Sequence, residues 1–107
     1  NILWFSNSNN NLNEIKGNSL DIVYSFITFQ HCKSEIVKQY FKEAYRILKE
    51  NGRFIFQLGL STKDTEPISY GDVGRRKKDT LEKDLINTGF NIESLSNEHF
   101  GLHICKK

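Results

Sequence analysis

The sequence predicts an α/β domain, and three observations carry that prediction. Residues 19–31 read Ser-Leu-Asp-Ile-Val-Tyr-Ser-Phe-Ile-Thr-Phe-Gln-His, a β-branched and aromatic run that ends in polar residues. A long amphipathic stretch and Asn51-Gly52 separate it from a second apolar run, Arg53-Phe54-Ile55-Phe56-Gln57-Leu58. A further amphipathic stretch and two short apolar runs close the chain. Strand–helix–strand followed by a helix and a strand pair is the order of helices packed on a sheet with a parallel crossover. Ligands of open sheets sit beyond the carboxyl ends of the strands. That puts Ser6 to Asn9, Ser25 to His31 and Leu58 to Ser61 on one rim.

Each element has a local reason. Asn1 to Ser6, Asn-Ile-Leu-Trp-Phe-Ser, reads as a short buried strand. Residues 7–13 are almost all Asn and Ser, whose side chains bond their own backbone and favour turns. Gly17-Asn18-Ser19 closes that loop, and Leu20 to Ser25 is the next strand. Ser34 is placed to cap a helix, with Glu35 in its positive first turn. Ile36, Val37, Tyr40, Phe41, Ala44, Tyr45, Ile47 and Leu48 then recur at three- and four-residue spacing, with Lys, Glu and Arg between them. Asn51-Gly52 is the expected stop, glycine suiting the left-handed position after a helix.

Arg53 to Leu58 reads as a strand buried on both faces, as in a parallel sheet. Gly59 to Gly74 has no periodicity and holds the only proline, Pro67. A connection of about 16 residues is longer than usual, and such loops are often functional. Asp79 and Glu82 form a capping-box pair for a helix whose apolar face is Leu81, Leu85 and Ile86 and whose stop is Gly89. Phe90 to Ser96 and Phe100 to Cys105 are the two final strands.

Composition narrows the classes of function. A chain of 107 residues is expected to be one domain, 1–107, with a thin core. A net charge of +2 is too small to imply nucleic acid by itself. The two cysteines, Cys32 and Cys105, make no disulfide framework and read as free thiols of a cytoplasmic protein. No stretch approaches the roughly 20 apolar residues of a membrane span. The chain contains no methionine, even at position 1, so truncation of a longer protein is expected.

Asn18 to Ser25 with Gln30-His31, then Tyr40 through Phe56, then Leu81 through Gly89-Phe90 together resemble the C-terminal part of a class I S-adenosylmethionine-dependent methyltransferase domain. The resemblance covers nearly the whole chain, and its middle segment is the most specific. It implies a Rossmann-like methyltransferase sheet, truncated, with a C-terminal antiparallel strand pair. It implies methyl transfer from S-adenosylmethionine to a small-molecule or other O, N or C nucleophile, as part of a longer enzyme. The other reading is a non-catalytic methyltransferase-like interaction or scaffold module. Exposed sheet edges would let such a truncated piece form a homo-oligomer.

The resemblance also implies site residues. Asn7, Ser8 and Asn9 match the segment that borders the cofactor adenine, though the family's frequent acidic residue there is replaced by Asn and Ser. Ser25 and Phe26 match the segment at the cofactor's methionine end. Gln30 and His31 match the mouth between cofactor and substrate, where His31 is the candidate catalytic base against a plain helix-entry residue. The glycines stand at 17, 52, 59, 71, 74, 89 and 101 and form no Gly-x-Gly, so no glycine loop or ribose-holding acid is assigned. Arg75-Arg76-Lys77-Lys78 reads as a solvated run before a helix, with phosphate contact on a nucleic-acid or nucleotide substrate as the alternative. His31, Cys32, His99, His103 and Cys105 match no zinc spacing, so no metal site is expected.

Overall fold

In a computed structural model, residues 11–69, 71–98 and 101–107 are described. The strand expected at 1–6 and the adenine-side candidates Asn7, Ser8 and Asn9 lie outside them. Strand β1 is Leu20–Ser25, helix α1 is Ser34–Ile47 and strand β2 is Leu48–Gln57. Helix α2 is Lys78–Thr88, and strands β3, Asn91–Ser94, and β4, Leu102–Lys106, follow. One sheet runs in the order β1-β2-β4-β3. β1 and β2 are parallel, while β4 is antiparallel to both β2 and β3. The α/β architecture and the antiparallel terminal pair are as expected from sequence.

Alternation in the strands decides which face is buried. Val23, Phe54, Phe56 and Cys105 point to one side, where Val37, Phe41 and Ala44 of α1 and Leu81 and Leu85 of α2 pack on them. Both helices therefore lie over the same face. The opposite face carries Ile22, Tyr24, Ile55, Leu102 and Ile104. Ile22 and Tyr24 are 57% and 67% exposed, with no layer over them among the described residues. Ile55, expected to be buried on a two-faced strand, is only half-buried. Parallel strands are normally covered on both faces; among the described residues this side of β1 and β2 carries no cover. Among the described residues β1 is also an edge strand, paired only with β2.

The joint between α1 and β2 differs from expectation. The helix ends at Ile47, and Leu48 is already extended and pairs with Leu20. The next matched pair is Ile22 with Arg53, so residues 49–52 bulge out of the ladder. Asn51, not Gly52, takes the left-handed conformation at φ 66°. Gly52 is required for a different reason: a Cβ there would lie 2.8 Å from the Lys49 carbonyl oxygen and 2.9 Å from Leu48 Cδ2. Gly52→Ala is expected to cost about 1–3 kcal/mol through this overlap. Urea denaturation checks it, and an unchanged midpoint would remove this account.

Both helix starts also differ from the local reading. Lys33 and Lys77 occupy the N-cap positions, and neither makes a side-chain cap. Ser34 and Asp79 are instead inside the first turns. The capping is done from a distance. Glu66 accepts the Ser34 backbone N–H at 2.9 Å, together with the Ser34 hydroxyl. Asp64 accepts the Lys77 N–H at 2.8 Å and the Thr80 hydroxyl at 2.9 Å. One loop thus holds the positive ends of both helices. These hydrogen bonds keep both carboxyls below their usual range, chiefly the Ser34 hydroxyl for Glu66 and the Lys77 N–H for Asp64.

Candidate functional site

The carboxyl ends of β1 and β2 meet two segments, residues 26–33 and the loop 58–77. After Ser25 the chain turns sharply at Ile27, which sits at φ 56°. That conformation is uncommon for any residue but glycine and is an outlier for a β-branched one. The Ile27 N–H donates to Gln57 Oε1 at 2.9 Å, and the Thr28 hydroxyl donates to the Phe26 carbonyl at 2.9 Å. A single 3₁₀ turn, Phe29–His31, follows. Its first residue is an anchor: Phe29 is 5% exposed and lies against Phe41, Phe54 and Phe56.

The long loop is a pinned strap. Gly74 donates its N–H to the Gln30 carbonyl at 2.6 Å. Arg76 is 3% exposed and donates to the carbonyls of Thr65 and Arg75, with Glu66 at 3.7 Å. Its burial splits the basic run Arg75–Lys78. Arg76 serves the strap, so the run is not one solvated cationic patch as read from sequence. This removes the main support for a phosphate grip there.

The strap also orients His31. His31 Nδ1 is 2.8 Å from the Asp72 carbonyl oxygen. A carbonyl only accepts, so Nδ1 carries the proton, and in the neutral ring Nε2 holds a free lone pair. Nε2 has no hydrogen bond among the described residues, and the side chain is exposed. Gln30, next to it, is 5% exposed, and its Oε1 is buried without a partner. A buried acceptor without a donor is costly and calls for an explanation.

Beside the rim, an open cavity of about 450 Å³ runs between β1 and α1. Ser25, Thr28, Phe29 and Cys32 form its rim end, and Val23, Ala44 and Leu12 form its apolar remainder. Of the candidates from sequence, Ser25 lines this cavity, His31 stands exposed on the rim, and Gln30 is buried under the strap. Phe26 is 47% exposed and lies 5.2 Å from the Tyr24 ring, outside the cavity lining. Sequence reading did not find Gln57 or Asp72. Their role rests on contacts across 30 and 41 residues, which leave no local signal. Among the described residues no group of His, Cys, Asp and Glu is placed to hold a metal. Nor is any helix long and apolar enough to cross a membrane.

The model of the methyltransferase domain family matches residues 6–56, from the segment before β1 to the end of β2. That stretch, just under half of the chain, is similar to the methyltransferase domain family, and the fold is that of S-adenosylmethionine-dependent methyltransferases. Solved structures agree with the fold. An S-adenosylmethionine-dependent methyltransferase from Mesorhizobium loti superposes at a TM-score of 0.67 with 18% identity, over 87% of this chain and 64% of that one. A Burkholderia thailandensis 1,6-didemethyltoxoflavin-N1-methyltransferase superposes at 0.70 with 13% identity, over 85% and 45%. That structure holds its acceptor and S-adenosylhomocysteine. A Haemonchus contortus phosphoethanolamine N-methyltransferase, holding phosphomonomethylethanolamine and S-adenosylhomocysteine, superposes at 0.57 with 26% identity, over 74% and 20%. This chain therefore spans from a fifth to under two thirds of the length of these three. No curated protein sequence matches it.

The cofactor of the family is S-adenosylmethionine. The polar rim end of the cavity at Ser25 and Thr28 suits one side of such a ligand, whose ammonium and hydroxyl groups are donors.

Proposed function

We propose that this chain forms the acceptor-side half of a methyltransferase active site within a longer enzyme, and that the acceptor is a small molecule carrying an O, N or C nucleophile. The observation that carries the proposal is His31, whose Nδ1 is tied to the Asp72 carbonyl so that Nε2 faces outward as a base on the rim. Small-molecule acceptors in the toxoflavin and phosphoethanolamine enzymes support the substrate class.

The bound cofactor supplies an electrophilic methyl group on a sulfonium sulfur. Ser25 and Phe26 would border its methionine end, and Gln30 would stand at the mouth between it and the acceptor. Asn7, Ser8 and Asn9 are proposed for the adenine end. His31 Nε2 takes the proton that the acceptor's heteroatom releases as that atom bonds to carbon. Because the strap fixes the imidazole, the base is oriented before the acceptor arrives.

Calorimetric titration of S-adenosylhomocysteine into this chain and into the natural full-length product tests the reading. Binding by the longer protein is expected, and no binding by either would leave the interaction-module reading. An acceptor is then found by screening amines and phenols for S-adenosylhomocysteine formation. In the longer protein His31→Ala is expected to lower kcat about 100- to 10,000-fold, the range of a general base. An unchanged kcat would remove His31 from the chemistry.

A further inference from the structure

Among the described residues of the rim, Ile27 is the one whose backbone holds an unfavourable conformation. It is β-branched, at φ 56°, and 66% exposed, so no packing of its own side chain accounts for that conformation. Glycine carries this φ freely, yet the chain has isoleucine. Something outside the residue must hold it. The described contact that does so is the hydrogen bond from the Ile27 N–H to Gln57 Oε1 at 2.9 Å, which joins the carboxyl ends of the two parallel strands.

The turn leads straight into the functional residues. Thr28 closes it with a hydrogen bond to the Phe26 carbonyl, and the Phe29–His31 turn begins at the next residue. Phe29 is locked in the aromatic core. The path of the backbone between Ser25 and Phe29 therefore sets where Gln30 and His31 stand. Without the bond to Gln57, Ile27 relaxes toward negative φ, and the three-residue span on either side must follow.

We propose that Gln57 is a positioning residue: its side-chain carbonyl latches the strained turn at Ile27 and thereby sets the place of His31 on the rim. This rests on the reading of His31 given above for its consequence in catalysis, but the latch itself is a property of the folded chain. The side chain needs an acceptor oxygen at that distance, so glutamate can replace glutamine and leucine cannot.

The test uses nuclear magnetic resonance and thermal melting on this chain and on the full-length product, with no substrate. In Gln57→Leu the amide resonance of Ile27 and the ring resonances of His31 are expected to shift, and the melting temperature to fall by at least about 4 °C, the loss of the Ile27 hydrogen bond in a domain of this size. Gln57→Glu is expected to restore both. Ile27→Gly is expected to melt higher than the parent, and to reduce the loss caused by Gln57→Leu when the two are combined. Overturning results are a His31 signal that ignores Gln57→Leu, or a Gln57→Leu loss of the same size in the Ile27→Gly background. None of these readings involves cofactor or methyl transfer. Failure of the latch is thus distinguishable from failure of the methyltransferase reading.

Discussion

Phe41→Ala is expected to remove about 3–5 kcal/mol of stability and to leave the chain largely unfolded. Phe41 is 1% exposed at the centre of an aromatic cluster. Its ring lies 5.7 Å from Phe54, 5.2 Å from Phe56 and 5.9 Å from Phe29, so it links α1, β2 and the rim turn. Truncation loses the transfer free energy of the ring and leaves a cavity that three rigid aromatic neighbours cannot fill. A domain of this size has only about 5–15 kcal/mol in total. Urea denaturation checks the expectation. The control is Ile86→Ala on α2, a residue 60% exposed, which is expected to stay within about 0.5 kcal/mol. Similar losses in both variants would refute a core centred on Phe41.

The second large effect depends on pH. His103 is fully buried in β4 between two partners. Nε2 is 2.7 Å from the Leu58 carbonyl oxygen, and Nδ1 is 3.2 Å from the Ser96 backbone nitrogen. The first contact requires a proton on Nε2, and the second requires a bare Nδ1 that accepts from the Ser96 N–H. The ring is thus held neutral in one tautomer. Burial pushes its pKa below the usual value of 6.5, against a smaller upward effect from the Leu58 carbonyl. A group depressed in the folded state keeps its full contribution above the unfolded value. Below pH 6.5 the unfolded chain takes a proton that the native state refuses, so stability falls as pH drops toward the folded value. One such group gives a slope of at most about 1.4 kcal/mol per pH unit.

His103→Gln keeps a donor and an acceptor but does not titrate. The parent chain is expected to lose denaturation midpoint between pH 7.5 and 5.5, a window above the titration of the depressed carboxyls of Glu43, Asp64 and Glu66. The variant is expected to be flatter over the same window. Equal slopes would show that His103 is not the group responsible. The loss has a functional side, because Leu58 is the residue from which the strap departs and His103 ties it to β4.

Much of the fold is legible in order and type. β1, α1, β2 and α2 each write their own period of apolar residues, and Val23, Phe41, Phe54, Phe56 and Leu85 fall on the faces those periods imply. The approximate rim was legible too, because strand polarity places Ser25–His31 beyond a carboxyl end. The boundaries were less so. Asn51-Gly52 carries a helix-stop signal, but Leu48 is drawn into the ladder opposite Leu20, and sheet pairing ends the helix four residues sooner. Ser34 and Asp79 carry cap signals, but carboxylates from one distant loop take both helix ends.

The sequence by itself determined the α/β class, the helix faces, the aromatic core and the resemblance of residues 6–56 to the methyltransferase domain family. These rest on short-range periodicity and on local motifs that survive without knowledge of contacts. Only the tertiary structure decided the working arrangement of the rim. It buried Arg76 and thereby divided a basic run, gave His31 a tautomer through Asp72, and held Ile27 in a strained turn through Gln57. Each of these is a hydrogen bond or burial between residues far apart in the chain. Side-chain type at one position does not specify such a partner; the folded path of the backbone does.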